Sequence, residues 1–173
     1  MALTLIKEDG TGKVDANAYA NAADGDTYHD GHLYPSAWLA AVQPQRDAAL
    51  VMATRLIDAE IRFNGYRLKQ TQALQWPRVD CPDADADGET VPSDSIPRIL
   101  RDATCEQARE LIVVDRTATP EGEGLKYLLD GTTQKGFDKA DKRPVLSAAV
   151  LALLSKIGEP MKRRSGVVKL TRS

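Results

Sequence analysis

Three prolines stand at the start of three helix-length apolar segments, and this arrangement constrains the fold more than any other feature of the chain. Pro44, Pro97 and Pro144 suit the first turn of a helix, where the N–H that proline lacks has no partner within the helix. The first segment runs to about Ile61. Its apolar residues recur at helical spacing: Leu50, Ala53, Ile57 and Ile61, with Met52 and Leu56 widening the stripe. The pattern predicts a mainly α fold.

The two later segments differ in how much of their surface is apolar. The segment from Pro97 to about Val114 has one apolar side, formed by Ile96, Leu100, Ala103, Leu111 and Val114. The segment from Pro144 through Ile157 is apolar almost all the way round: Val145, Leu146, Val150, Leu151, Leu153 and Leu154. A helix of this kind lies at the centre of the core or is buried by another subunit.

Shorter elements complete a predicted bundle of about four helices. Asn21 is a candidate N-cap with Asp24 three residues later, which predicts a short helix through about His29. Residues 33 to 42 are predicted to form a turn and a short helix. Asn64 and Gly65 are predicted to end the long helix in a left-handed cap, because glycine adopts that conformation without steric cost.

The C-terminal third contains a long excursion and an arm. Residues 118 to 143 are predicted to be irregular, with short strands or an extended loop around Asp130 and Gly131, and loops of that length are usually functional or mobile. We predict one helical domain at residues 1 to 160 and a C-terminal arm at residues 161 to 173. The end of the arm could add as a strand to another sheet edge.

Composition and charge indicate a soluble chain in a cytosolic setting. The 173 residues are 42% hydrophobic, carry a net charge of −2 and can bury a real core. Cys81 and Cys105 lack metal-ligand spacing and are predicted to be reduced thiols. The N-terminus shows no signal-peptide pattern. The longest apolar run, residues 145 to 154, is too short to span a membrane.

The charge is distributed unevenly along the chain. Residues 80 to 94 contain six acidic and no basic side chains, whereas residues 162 to 172 contain five basic and no acidic ones. This asymmetry indicates two faces with different partners, or subunits that meet head to tail. Two separately solvated segments are the alternative.

The tripeptide Trp76, Pro77 and Arg78 connects two predicted helices and has two interpretations. A tryptophan between helices is usually buried as a structural anchor, with the proline directing the chain after it. Alternatively, tryptophan and arginine form a recognition site, since both are enriched in binding hot spots.

The acidic loop is a candidate calcium site. Asp83, Asp85, Asp87 and Gly88 follow the D-x-D-x-D-G pattern, and Asp94 stands where an EF-hand loop has its last ligand. Trp76 and Pro77 precede the loop where an EF-hand needs a helix, and Asp94 is shorter than the usual bidentate glutamate. An exposed turn with Asx hydrogen bonds is the alternative, and we predict no resident metal.

No catalytic motif emerges, and we expect a protein that is not an enzyme. The chain has no Walker A loop, dinucleotide fingerprint, G-x-S-x-G elbow or H-E-x-x-H motif. His29 and His32 lack further metal ligands in the sequence. The basic arm could contact phosphates, but aromatic residues are only 5% of the chain and do not interleave with the arm's charges.

The order and spacing of many residues resemble a family of tailed-bacteriophage head–tail connector, or neck adaptor, proteins. The resemblance rests on Asn17 to Ala20, Asp26, Tyr28, His29, Trp38, Ala49, Leu50, Ala53 to Asp58, Gly65 to Arg67, Gln72, Leu74, Trp76 to Arg78, Asp85, Asp87, Gly88, Ile96, Pro97, Val168 to Leu170 and Arg172. It covers nearly the whole chain and is weakest at residues 118 to 143. Some proteins of this kind carry instead the description DnaT-like single-stranded-DNA-binding protein.

The resemblance implies a structural virion protein that assembles as a homo-oligomeric, twelve-fold ring under the portal protein. Such a ring extends the channel through which DNA passes without sequence readout, and it joins the portal to a downstream neck or tail-terminator protein. The portal-docking residues would be those of the arm, Arg163, Arg164, Val167, Val168, Lys169 and Leu170. The protein would be made in the bacterial host cytoplasm and reside in the virion neck. A single-stranded-DNA-binding replication accessory protein is the alternative.

Overall fold

The computed structural model describes residues 3–119, 127–130, 133–136 and 143–161. Its helices are α1 (Ala22–Asp30), α2 (Ser36–Ala40), α3 (Gln43–Glu60), α4 (Arg98–Val113) and α5 (Ala148–Leu154). Its strands are β1 (Ile61–Phe63), β2 (Tyr66–Arg67), β3 (Arg78–Val79), β4 (Tyr127–Asp130), β5 (Thr133–Gly136) and β6 (Gly158–Pro160). The predicted mainly α class is confirmed, with five helices in the described residues.

The long helices α3 and α4 pack against each other, and the remaining helices surround this pair. α5 and α1 both lie against α4, and α2 contacts α4 as well. The strands form three antiparallel pairs, β1 with β6, β2 with β3 and β4 with β5. In the first pair Phe63 lies opposite Gly158. This pairing brings the last described residues back to the end of α3.

Two hydrophobic clusters hold the bundle together. The larger one includes Tyr19, Ile57, Trp76, Leu100 and Leu154, and the smaller one surrounds Trp38 with residues of α3 and α4. The predicted α3 stripe is therefore confirmed at Leu50, Ala53, Ile57 and Ile61. Met52 is the exception, because its side chain remains 36% exposed.

The predicted first helix is confirmed by its cap. The Asn21 side chain accepts a hydrogen bond from the backbone N–H of Asp24, and the Asp24 carboxylate accepts one from the backbone of Asn21. This reciprocal pair satisfies two backbone donors at the start of α1.

The predicted cap at Asn64 and Gly65 is wrong, because α3 ends at Glu60 and β1 follows it directly. Gly65 has a positive φ of 69°, as expected of a left-handed residue, but it lies in the turn between β1 and β2. A Cβ there would lie 2.2 Å from the carbonyl oxygen of Val79, so the neighbouring backbone also requires glycine.

The last helix is shorter than predicted. α5 begins after Ser147, whose hydroxyl accepts a hydrogen bond from the backbone N–H of Val150. Pro144 lies outside the helix, since Arg116 donates to its carbonyl oxygen and to that of Val145. Val150 and Leu154 are buried while the three alanines of α5 are exposed. Within this helix only one face is therefore buried by the described chain.

The excursion at residues 118 to 143 is described in part. The strands expected near Asp130 are present as β4 and β5, which pair with Asp130 opposite Thr133. The rest of the excursion, residues 120–126, 131–132 and 137–142, lies outside the described residues. Among the residues that are described, no helix combines the length and the apolarity needed to cross a lipid bilayer.

Candidate functional site

Trp76 lies at the centre of the larger hydrophobic cluster. Its side chain is fully buried, and its indole packs edge-on against the ring of Phe63 at 6.0 Å between centroids. The peptide bond to Pro77 is cis. The backbone N–H of Trp76 donates to the Tyr19 hydroxyl at 3.2 Å. These are the contacts of an internal packing group.

Arg78 uses its guanidinium to bind the chain's own carbonyl groups. Nε donates to the carbonyl oxygen of Asn64 at 2.7 Å, Nη2 to that of Gly65 at 2.6 Å and Nη1 to that of Gln75 at 3.1 Å. The residue is only 8% exposed, and this burial lowers the pKa of the guanidinium. The side chain therefore fixes the β1–β2 turn against the segment before Trp76. Its donors are used by carbonyl groups of the same chain.

A half-buried carboxylate supports the same region from α3. Asp58 accepts hydrogen bonds from the Tyr19 hydroxyl at 2.5 Å and from the backbone N–H of Gln75 at 3.1 Å. Burial raises the pKa of Asp58 to about 6 and raises the pKa of Tyr19 well above its ordinary value. These bonds tie the N-terminal segment and the Trp76 segment to α3.

The two histidines do not form a metal centre. His29 is 1% exposed and packs on the Trp38 ring at 4.9 Å, and burial lowers its pKa to about 4. His32 Nε2 lies 3.5 Å from the carboxylate of Glu106, which also pairs with Arg109. Across the described residues no group of three or more His, Cys, Asp or Glu side chains is placed to hold a metal ion.

The acidic loop folds as a hydrogen-bonded turn. Asp83 accepts from the backbone N–H of Asp85 at 2.9 Å, which is the expected Asx turn, and Asp85 pairs at 2.6 Å with Lys156, two residues after the end of α5. Asp87 and Asp94 are exposed. The four predicted calcium ligands are therefore not brought together as a coordination shell.

An exposed apolar ridge follows α1, formed by Leu33, Tyr34 and Leu39. These side chains are 81%, 69% and 58% exposed. The buried indole of Trp38, the residue before Leu39 in α2, donates from Nε1 to Asp26 at 2.8 Å, whereas Leu39 itself is exposed. From the sequence this segment was predicted only to form a turn and a short helix. The signal that could have found the ridge is the three large apolar side chains close to a tryptophan, of which the tryptophan alone is buried.

An open apolar groove lies between α3 and the end of α4. Its walls are formed by Gln45, Ala48, Ala49, Met52, Leu111 and Ile112, which enclose about 310 Å³. Alanines on α3 create the depression, and the half-exposed Met52 borders it. Val42, 59% exposed, lies three residues before Gln45 and extends the apolar surface. Met52 was expected in the core stripe, but it lines this open groove instead.

One exposed aromatic residue and two exposed arginines lie in β1 and β2. Tyr66 is 71% exposed, and it lies between the exposed side chains of Arg62 and Arg67 in the sequence. Arg62 pairs with Glu159 across the β1–β6 pair at 2.9 Å. The prediction considered aromatic neighbours of the basic arm alone, and Tyr66 with Arg62 and Arg67 was therefore not predicted from the sequence. The predicted docking residues Arg163, Arg164, Val167, Val168, Lys169 and Leu170 lie outside the described residues.

The fold and these surfaces define a small helical protein whose prominent exposed features are apolar. A family model described as "Putative DnaT-like ssDNA binding protein" matches residues 3–169, and the chain belongs to this family. Comparisons with curated proteins and with solved structures give no match.

Proposed function

We propose that the protein is a structural virion subunit, a head-to-tail adaptor of a tailed bacteriophage. Copies of it form a ring under the portal protein, extend the DNA channel and join it to the next neck or tail protein. The observation that carries this proposal is the ridge of Leu33, Tyr34 and Leu39. Three large apolar side chains exposed over one short segment are typical of a surface that another protein covers.

The internal contacts of the polar residues support an assembly role. Arg78 binds carbonyl groups of its own chain, and Asp58 accepts internal hydrogen bonds. With a net charge of −2, the protein is suited to surround DNA without binding it tightly. The protein is proposed to act without catalysis or a resident cofactor and to join the virion neck after synthesis in the host cytoplasm.

The arm at residues 161 to 173 is the proposed contact with the portal protein. Its sequence combines Lys162, Arg163 and Arg164 with the apolar residues Val167, Val168 and Leu170. Binding of the full chain and of a chain that ends at Pro160 to the portal protein of the same phage should be measured by co-sedimentation. The truncated chain is expected to keep its circular dichroism spectrum and to lose binding. Unchanged binding would contradict the assignment of the arm.

A single-stranded-DNA-binding accessory protein is the second candidate. The family description favours it, and so does Tyr66 with its neighbours Arg62 and Arg67, since an exposed ring can stack on a base beside phosphate-binding cations. Fluorescence anisotropy with an oligothymidine probe at physiological salt separates the two functions. The adaptor proposal predicts no sub-micromolar binding. Sub-micromolar binding that Tyr66→Ala weakens about tenfold would favour the second candidate, because stacking is worth about 1–3 kcal/mol per base.

A further inference from the structure

We propose that the groove between α3 and α4 of one copy of the protein binds the ridge of a second copy. The ridge is Leu33, Tyr34 and Leu39, and the groove is lined by Ala48, Met52, Ile112 and their neighbours. The inference rests on the proposed function in one respect, namely that copies of the chain assemble with one another. It adds the two surfaces through which they do so.

The chemistry of the groove favours apolar side chains of a protein over a small polar ligand. Five of its six lining residues are apolar, and Gln45 is the only polar one. Sites for small molecules usually add a small number of precisely placed polar groups to an apolar lining, and they bury most of the ligand. This groove is open and holds about 310 Å³, at the lower end of such sites. A few apolar side chains from a protein surface match it better.

The ridge has the composition that such a groove requires. Tyrosine buries a large area with little loss of side-chain entropy, and a leucine beside it adds apolar contact. Leu33 and Tyr34 precede α2, whose buried Trp38 is anchored to Asp26 and lies 5.3 Å from the guanidinium of Arg46. The segment is therefore held by its neighbour before any partner binds, which lowers the entropy cost of association.

Charged residues of opposite sign lie close in the sequence to the ridge and to the groove, which favours a second copy as the occupant. Asp30 lies three residues before Leu33 and is exposed. Arg55 lies one turn beyond Met52 on α3 and is also exposed. Within the described part of the chain neither side chain has an ionic partner. When the ridge of one copy enters the groove of the next, Asp30 and Arg55 can pair at the edge, where such pairs mainly fix orientation.

A contact in which the ridge of one copy enters the groove of the next, without the reverse contact, is heterologous. It leaves one ridge and one groove free on every pair of copies, and it closes into a ring when the rotation between neighbours allows. A two-fold dimer would instead bury both ridges and both grooves in one interface. The proposed pairing thus provides the type of interface that a ring of adaptor subunits needs.

Sedimentation of the full chain tests this pairing with one variant for each surface. Leu33→Asp alters the ridge and Ala48→Arg fills the groove, and each variant is expected to weaken self-association about tenfold or more. Val14→Asp and Ala152→Arg are matched controls, because both positions are exposed and lie outside α2, α3 and the groove. The controls should self-associate as the unmodified chain does. Circular dichroism verifies that every variant is folded.

Mixing the two variants gives the sharper result. Leu33→Asp keeps an intact groove and Ala48→Arg keeps an intact ridge, so together they should form a one-to-one complex that grows no further. In the same way Asp30→Arg and Arg55→Asp should each weaken assembly, and the double variant should restore it. A mixture that remains monomeric, or a Leu33→Asp variant that assembles like the unmodified chain, would overturn the pairing.

Failure of the proposed pairing can be distinguished from failure of the adaptor proposal. An unmodified chain that stays monomeric at about 1 mM, where even weak association is detectable, overturns the pairing. If that chain still binds the portal protein through its arm, the adaptor proposal stands. If copies assemble through ridge and groove without binding a portal, the pairing stands and the adaptor proposal is overturned.

Discussion

Arg78 shows how one buried cation can organise a segment without regular secondary structure. Its guanidinium binds the carbonyl groups of Asn64 and Gly65 in the β1–β2 turn and that of Gln75 before Trp76. Hydrogen bonds to a charged group contribute more than neutral ones, and removing the donor leaves buried carbonyl groups without partners. The residue is therefore assigned to stability of the domain.

This assignment predicts the effect of removing the guanidinium. Arg78→Met keeps much of the side chain's length and should lower the free energy of unfolding by about 2–4 kcal/mol. Arg98→Met is the control, because Arg98 is largely exposed and only reaches Asp102 one turn away, so its loss should cost less than about 0.5 kcal/mol. Urea denaturation measures both. Equal effects of the two substitutions would contradict the structural role of Arg78.

His29 makes the stability of the protein depend on pH. Burial lowers its pKa to about 4 in the folded chain, from an ordinary value of 6.5. The unfolded chain therefore binds more protons between these values, and stability falls as the pH drops from about 6.5 to about 4. The full contribution is about 3 kcal/mol, since one pKa unit corresponds to about 1.4 kcal/mol. Asp58, whose pKa is raised, acts in the opposite direction below about pH 6.

Two measurements separate the contribution of His29 to the pH dependence of stability from that of other groups. An NMR titration should show the His29 ring protonating near pH 4 and only shortly before unfolding. The difference in unfolding free energy between pH 7 and pH 4.5 should be smaller in His29→Leu than in the unmodified chain. A His29 ring that titrates near 6.5 in the folded protein would contradict its burial against Trp38.

At the scale of elements, most helix boundaries were predictable, but the cap at the end of α3 and the start of α5 were not. The cap at Asn21 and the prolines at positions 44 and 97 are local signals, because each concerns backbone donors within one turn. The end of α3 is set by the pairing of β1 with β6, nearly one hundred positions later in the chain. The start of α5 depends on Arg116 holding Pro144 and Val145 outside the helix. The spacing of apolar residues within one segment carries no information about contacts with residues far away in the sequence.

Two glycines with similar backbone conformations differ in the space around them. Replacing each with alanine distinguishes the free-energy cost of a positive φ from the cost of a steric clash. Gly65 and Gly88 have φ of 69° and 77°. A Cβ on Gly65 would meet the backbone of Val79, whereas nothing lies within 4 Å of one on Gly88. Gly88→Ala should cost about 1 kcal/mol from the left-handed conformation alone. Gly65→Ala should cost at least about 1 kcal/mol more, measured by thermal or urea unfolding. Equal costs would contradict the close approach of Val79.

At the scale of the whole molecule, the sequence predicted the class of fold but not its exposed surfaces. Trp76 could be expected in the core because large aromatic residues between helices are usually buried. Leu33, Tyr34 and Leu39 look equally suited to a core, but all three are exposed in the folded bundle. Exposure depends on which face of each element meets its neighbours. It is therefore a property of the assembled bundle, and the ridge and the groove could be recognised only there.

Electron microscopy of the virion neck would test the proposal that this chain forms a ring in a phage particle. We expect density for a ring of copies directly beneath the portal, with residues 161 to 173 of each copy against the portal protein. Within the ring, the Leu33 and Tyr34 side chains of one copy should lie against Ala48 and Met52 of the next. A complete particle whose neck contains no copy of the chain would contradict the claim.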